Sequence, residues 1–283
     1  MNNLQKIEFE MLREVIRICS ELDIKYYLVC GSALGAVKYG GFIPWDDDMD
    51  IAMMRKDYEL FIRESQRLLP RNLFLQNYHT EQCFTNIFSK LRNSDTTYIE
   101  KNVSNLPINH GVYIDIFPLD EYPESKFYKL KLEYQKHILL GKLSTVYNSA
   151  KTGRAALWDF LGRIIHFDKR INYYVSMLEK VLTEYKGKHS DIICNHGNWQ
   201  GKLEYAPRSQ YGDGTWAEFE GLKVRVPEKY DEYLTQKYGD WRAELPKEQQ
   251  VGHHFYEICD LNRPYTDYIE KLPNGKVKII NLK

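Results

Sequence analysis

The sequence predicts an α+β fold: a mixed β-sheet core flanked by helices, with a largely helical C-terminal elaboration. Three observations carry this. Leu4, Ile7, Met11, Val15, Ile18 and Leu22 recur at spacings of three and four, the period of an amphipathic helix. Short apolar runs such as Tyr26-Tyr27-Leu28-Val29-Cys30, closed by Gly31, have the length and bounding of buried strands. Residues from about 125 to 186 are largely helical in pattern, with a break around 148–153.

In chain order, Ser32 can cap a short helix through Val37, which Gly40 and Gly41 stop. Pro44 imposes an extended turn. Residues 47–53 then predict a second strand, with Met49, Ile51 and Met53 on one face. Residues 55–69 have helical period and end at Pro70. Strands are expected at 73–76, 86–92 and 112–117, loops and short strands over 190–227, and a helix from Pro227 through Tyr238. A soft boundary near residue 121 separates a core unit, 1–121, from a helical and loop-rich elaboration, 122–283, that completes it; the two also read as one continuous domain.

Composition narrows the class. The 39 Lys plus Arg balance the 39 Asp plus Glu, so the basic excess that neutralises a nucleic-acid backbone is missing and no nucleic-acid partner is expected. The five cysteines are scattered and form no C-x-x-C pair, which predicts free thiols in a reducing compartment. The N-terminus lacks the apolar core of a signal peptide, and no run reaches the length of a membrane span. The expected location is cytoplasmic, with contact at the inner face of a membrane left open.

The chemistry concentrates in two runs. On a strand, Asp48 and Asp50, two apart, would share a face and could hold one divalent cation, Mg²⁺ or Mn²⁺. Asp46 and Asp47 add negative field. Upstream, Gly31 permits close backbone approach and Ser32 sits where a helix begins, a place suited to phosphate. A third carboxylate, Asp115, is flanked by β-branched residues in a strand, where an acid is costly to bury unless paired or bound to metal. Three carboxylates around metal suit in-line displacement at phosphorus. Lys90 and Arg92, also two apart, could take up phosphate charge from the same cleft. Each piece has a plainer reading taken alone: a solvated acidic edge, a turn, a hydrogen-bonded structural acid, a solvent-facing cation pair. Their order along one chain favours the site.

The run from Tyr27 through Lys38, followed by Gly41-Phe42-Ile43-Pro44-Trp45-Asp46-Asp47-Asp48-Met49-Asp50-Ile51, resembles the signature of the LicD family. The likeness continues in Arg55-Lys56-Asp57-Tyr58, in Gly111 through Asp120, in Phe219-Glu220-Gly221, and in Val226-Pro227 through Trp241. It implies a nucleotidyltransferase-like fold and an enzyme that moves a phospho-alcohol, typically phosphocholine from CDP-choline, onto a sugar hydroxyl of a surface glycan or its lipid-linked precursor, such as teichoic acid or lipopolysaccharide. Fukutin-related relatives use CDP-ribitol. The resemblance implies Gly31 and Ser32 for phosphate, with Lys38 beside them, and Asp48 and Asp50 for metal, with Asp115 as third ligand or base. Ser32 stands where the family commonly has Thr, Lys38 where it has Arg, and Tyr39 where it has His.

A choline group would need aromatic walls, for which Trp45, Trp199, Tyr211 and Trp216 are candidates, each of them equally readable as packing. Cys194, His196, His253, His254 and Cys259 form no common zinc spacing. Residues 158–167, ringed by Lys151, Arg154, Lys169 and Arg170, could lie on a membrane, though an ordinary packed helix explains them as well. Competing functions are a nucleotidyltransferase that adds NMP and releases pyrophosphate, a D-x-D glycosyltransferase, and a non-catalytic nucleotide-binding regulator.

Overall fold

The computed structural model describes residues 1–147, 167–188, 190–198, 200–252, 254–273 and 275–280. The expected membrane-surface segment 158–167 lies almost wholly outside these residues, as do Trp199 and His253.

Helix α1, Asn3–Glu21, opens with a capping box: the Asn2 side chain accepts from the Gln5 N–H (2.9 Å) and the Gln5 side chain accepts from the Asn2 N–H (3.0 Å). Its apolar stripe, Met11, Leu12, Val15 and Ile18, is buried in the main core. The Gln5 amide donates to the carbonyls of Ile43 (3.2 Å) and Asp46 (3.0 Å), so the helix also holds the acidic loop in place.

The sheet runs β1 (Tyr26–Leu28), β2 (Asp50–Met54), β6 (Val112–Glu121), β4 (Ser89–Asn93), β3 (Leu73–Gln76). β2 and β6 are parallel and the other neighbours antiparallel, so the sheet is mixed and the fold is α+β. The short helix α2 (Cys30–Leu34) and helix α3 (Arg55–Glu64) flank β2 in sequence. Helices α4 (Lys126–Tyr147) and α5 (Phe167–Leu182) pack on each other through two smaller cores. The later chain returns to the sheet. β7 (Ile192–Cys194) pairs with the end of β6, and β8 (Tyr205–Pro207) pairs with β7. β11 (Tyr256–Asp260) pairs with β5 (Thr97–Glu100), while β9 (Thr215–Phe219) and β10 (Leu222–Val226) form a hairpin. Helix α6 (Tyr230–Tyr238) follows it.

Several boundaries differ from expectation. The second strand starts at Asp50, not 47, so Asp48 lies on the irregular lead-in to the strand. Three successive carboxylates repel one another, and aspartate disfavours strand geometry. Helix α2 starts at Cys30 rather than being capped by Ser32, and it continues as a π-turn over Gly35–Tyr39. The third helix ends at Glu64 and continues as a 3₁₀ turn, Ser65–Arg67. All five cysteines are free, as expected. No helix among the described residues is long and apolar enough to cross a membrane.

Arg55, at the start of α3, makes a two-pronged, buried pair with Asp120 near the end of β6, at 2.6 and 2.7 Å. Both residues belong to the resembling motifs, and their contact joins helix to strand rather than lining the cleft. Arg55→Ala would strand a buried carboxylate and should cost about 3–5 kcal/mol, whereas Arg55→Met with Asp120→Leu should cost much less. Urea denaturation of the two variants checks this; equal losses would contradict it.

Candidate functional site

The site is set by strand register. Across β2, β6 and β4, Asp50 stands opposite Asp115, and Asp115 stands opposite Lys90. Residues directly opposed on adjacent strands share a face, so two carboxylates and an ammonium lie in one row. All three are buried. The row opens into a cleft of about 420 Å³, also lined by Asp48, Arg92, Glu100 and His254.

The Lys90 ammonium lies 3.0 Å from Asp115 Oδ1 and 3.5 Å from Glu100 Oε1, over the Tyr113 ring at 3.4 Å from its centroid. Arg92, fully buried, donates to Gln76 Oε1 (2.8 Å), the Gly111 carbonyl (2.8 Å) and Glu100 Oε2 (2.7 Å). Its guanidinium is thus largely committed within the protein, which leaves Lys90 as the more available cation of the pair. Burial opposes the Glu100 charge, but Lys90 and Arg92 outweigh it and hold its carboxyl down at about 2.

The other acids shift the opposite way. Burial first, then Asp48 and Asp115, push Asp50 well above the carboxylate range. Burial raises Asp115 against the pull of Lys90, and raises Asp48 against the pull of His254. Burial and the charges of Asp48 and Asp47 lift Asp46 to about 8. Burial first and mutual repulsion second thus disfavour the charged forms of these acids. Asp115 Oδ1, though near Lys90, is buried without an aligned hydrogen bond. A hard divalent cation with oxygen ligands suits such a donor set.

His254 approaches from the far end of the sequence. Its Nδ1 lies 3.0 Å from Asp47 Oδ1, its backbone N–H donates to Asp47 Oδ2 at 3.1 Å, and its Nε2 lies 3.6 Å from Asp48 Oδ2. Burial would lower its pKa, but the hydrogen bond to Asp47 and the charges of Asp48 and Asp47 win and raise it to about 9. Among the described residues, Asp47, Asp48 and His254 form the group whose ligand atoms all lie within 4.8 Å of one another. Asp50 and Asp115 face the same cleft but stand outside that tight group, and the Cys194, His196 and Cys259 set does not close as a metal site.

The expected phosphate turn has a different set of contacts. A Cβ on Gly31 would meet Asp46 Oδ2 at 2.6 Å, so the missing side chain makes room for that carboxylate. The Ser32 hydroxyl accepts from the Asp50 N–H at 2.8 Å, which anchors the strand start. Lys38 donates to the carbonyls of Trp241 (3.2 Å) and Ala243 (2.7 Å) and pairs with Glu244 (3.2 Å); it does not line the cleft.

Of the aromatic candidates, Trp45 packs edge-on to Tyr39, Tyr211 is buried between Tyr27 and Tyr233, and half-exposed Trp216 is stacked by Lys223 and Arg225. None of these three lines the cleft. The rings that do are Phe84, Phe88 and Phe117, the last two 4.5 Å apart. Gly197 is pressed against both, its Cβ position falling 2.7 and 2.8 Å from their ring carbons.

Glu8 was also missed by the sequence reading. It is buried on α1 with Oε2 unpartnered, and burial plus Asp48, Asp46, Asp47 and Asp115 raise its pKa well above normal. Its place four residues after Leu4, on the apolar stripe, was the available signal. Glu100 had none, and His254, noted only in a zinc set with no common spacing, is brought to Asp47 and Asp48 by tertiary contact alone.

Comparison with known proteins places this geometry in context. Residues 23–141 match the family described as LicD/FKTN/FKRP, nucleotidyltransferase domain. The chain is 26% identical over 270 residues to lipopolysaccharide cholinephosphotransferase LicD of Haemophilus influenzae, covering 85% of this chain and 90% of that protein. It is 29% identical over 135 residues to an uncharacterized protein of Rickettsia prowazekii, covering 48% of this chain and 47% of that one.

The acid cluster has a pH signature. A carboxyl whose folded pKa is raised binds protons more readily folded than unfolded, so its stabilisation is complete below the unfolded value and is lost as pH rises through the folded one. For Asp46 the window runs from 3.8 to about 8. With chelator present, thermal stability should therefore fall as pH is raised across this window, and Mg²⁺ or Mn²⁺ should restore most at the alkaline end. Melting curves with and without metal check this; a metal-free chain that gains stability toward pH 8 would contradict it.

Proposed function

Because the chain belongs to the LicD family of transferases, we propose that it moves a phospho-alcohol, phosphocholine from CDP-choline above all, onto a sugar hydroxyl of a cell-surface glycan or its lipid-linked precursor, with release of CMP. The observation that carries this reading is the buried row Asp50, Asp115 and Lys90, opening with Asp48 into a cleft walled by three phenylalanines. The cholinephosphotransferase relative, similar over most of both chains, supports the donor class.

In this reading Asp48 and Asp50 hold Mg²⁺ or Mn²⁺, with Asp115 as third ligand or as base. A cation there would stabilise charge developing on phosphorus and on the departing CMP. Lys90 adds positive charge beside the non-bridging oxygens. The acceptor oxygen bonds to the phosphorus that carries the alcohol, the bond from that phosphorus to the CMP oxygen breaks, and the hydroxyl proton passes to Asp115. Phe84, Phe88 and Phe117 offer ring faces to a trimethylammonium group. Where the protein works, at the inner face of a membrane in this reading, follows from a lipid-linked acceptor.

The test is to incubate the protein with Mg²⁺ or Mn²⁺ and a panel of CDP-alcohols, with glycan acceptor, and to follow products by mass spectrometry. CMP formed with a phospho-alcohol added to the acceptor is the expected outcome; pyrophosphate would indicate nucleotidyl transfer instead. Asp48→Asn and Asp50→Asn, if folded, should lower turnover roughly 100- to 1,000-fold; retained turnover would remove the metal role. Phe88→Leu should raise KM for CDP-choline several-fold, consistent with about 0.5–2 kcal/mol of cation–π contact, and should leave CDP-ribitol nearly unaffected. Equal effects on both donors would move the choline site elsewhere.

A further inference from the structure

We infer that His254 is a ligand of the divalent cation at Asp48, oriented for that task by Asp47, so that the site is of mixed nitrogen and oxygen character and prefers first-row transition ions over Mg²⁺. The inference deepens the phosphotransfer reading of the same site and rests on its metal requirement.

Three geometric observations converge. First, Asp47 grips the histidine at two points, Oδ1 to the ring Nδ1 and Oδ2 to the backbone N–H. This is the arrangement that fixes ring orientation when the opposite nitrogen binds metal: a carboxylate takes the non-ligating N–H and the other nitrogen is aimed at the ion. Second, Nε2 points at Asp48 Oδ2 across 3.6 Å. That is beyond hydrogen-bond reach, yet ligand bonds of about 2.0–2.2 Å to each atom span it. Asp48 and His254 line the cleft, whereas Asp47 stands behind them. Third, the backbone is shaped to let the histidine in. A Cβ on Gly252 would fall 2.5 Å from Asp47 Oδ2, so a side chain there would push the carboxylate away from its present position on the histidine.

An independent feature is a carboxylate oxygen that Lys90, 3.0 Å away, leaves without a hydrogen bond. The buried Asp115 Oδ1, on the same wall, has no aligned hydrogen bond. His254 also lies outside residues 23–141, the segment that matches the family. The ligand would thus be supplied by the later part of the chain. A neutral imidazole favours transition ions, whereas Mg²⁺ takes oxygen ligands almost exclusively.

The experiment uses the whole chain without nucleotide. Mn²⁺ is bound and its electron spin echo envelope is recorded for directly coordinated nitrogen, while Mn²⁺, Co²⁺ and Mg²⁺ affinities are measured by equilibrium dialysis for the wild type, His254→Gln and Asp47→Asn. The expected result is nitrogen coupling in the wild type that is lost in His254→Gln. Mn²⁺ and Co²⁺ affinity should fall at least roughly tenfold in His254→Gln and by less in Asp47→Asn, as for a residue that orients a ligand. Mg²⁺ affinity should change less than that of the transition ions. Absence of nitrogen coupling in the wild-type Mn²⁺ complex overturns the inference, and so does unchanged Mn²⁺ affinity in a folded His254→Gln. If the variant does not fold, the wild-type spectrum alone decides. Because no donor is present, this result can fail while CMP release from CDP-choline succeeds, and the reverse.

Discussion

The structure depends on the register that sets Asp50, Asp115 and Lys90 side by side across three central strands. A one-residue slip of β2 against β6 would turn Asp50 toward the apolar face and bring Ile51 into the row. Packing prevents the slip: Ile51, Ile114, Ile116 and Leu91 are fully buried in the main core. The apolar face of the sheet thereby dictates the geometry of its charged face. The cost is a concentration of acids, Glu8, Asp46, Asp47, Asp48, Asp50 and Asp115, against few cations. Lys90, Arg92 and His254 offset part of it, and Arg92 and Lys90 are shared with Glu100. The raised pKa values of the acids are the physical trace of what remains uncompensated.

Much of this was legible in the sequence. The helical stripe of α1 and the apolar strand runs follow from periodicity and form close to where expected, whereas of the D-x-D pair only Asp50 lies on the strand. Asp48, Asp50, Asp115, Lys90 and Arg92 all reach one cleft. What could not be read depended on contacts between distant segments. Lys90 and Arg92 look alike in the sequence, yet only the fold shows that Arg92 is spent on Gln76, Gly111 and Glu100. Gly31 looked like an opening for phosphate until Asp46 was seen to occupy the space above it. In the sequence Trp45 is a candidate because it adjoins the acids, and Trp199, Tyr211 and Trp216 because they lie in a loop-rich segment, whereas the cleft is walled by Phe84, Phe88 and Phe117. His254 is 207 residues from its partner Asp47, and no local pattern could connect them.

The later chain contributes to the cleft directly. Gly197 packs on Phe88 and Phe117, Asn198 lines the wall, and His254 closes over the acidic loop. The segments that carry them are tied back to the sheet by β7 on β6 and by β11 on β5. The residues that match the family supply the clustered aspartates and Lys90, while later ones shape the space above them and add the imidazole. Differences between relatives in donor or acceptor would then be expected to reside in the later segments.

The most direct test of the account is the position of a bound metal. Crystals grown with Mn²⁺ and CDP-choline, measured at the manganese absorption edge, should show an anomalous peak in the cleft against Asp48, with the donor pyrophosphate beside it and its trimethylammonium group toward the phenylalanine wall. A peak away from Asp48, Asp50 and Asp115, or a donor bound with its phosphates turned away from these acids, would contradict it.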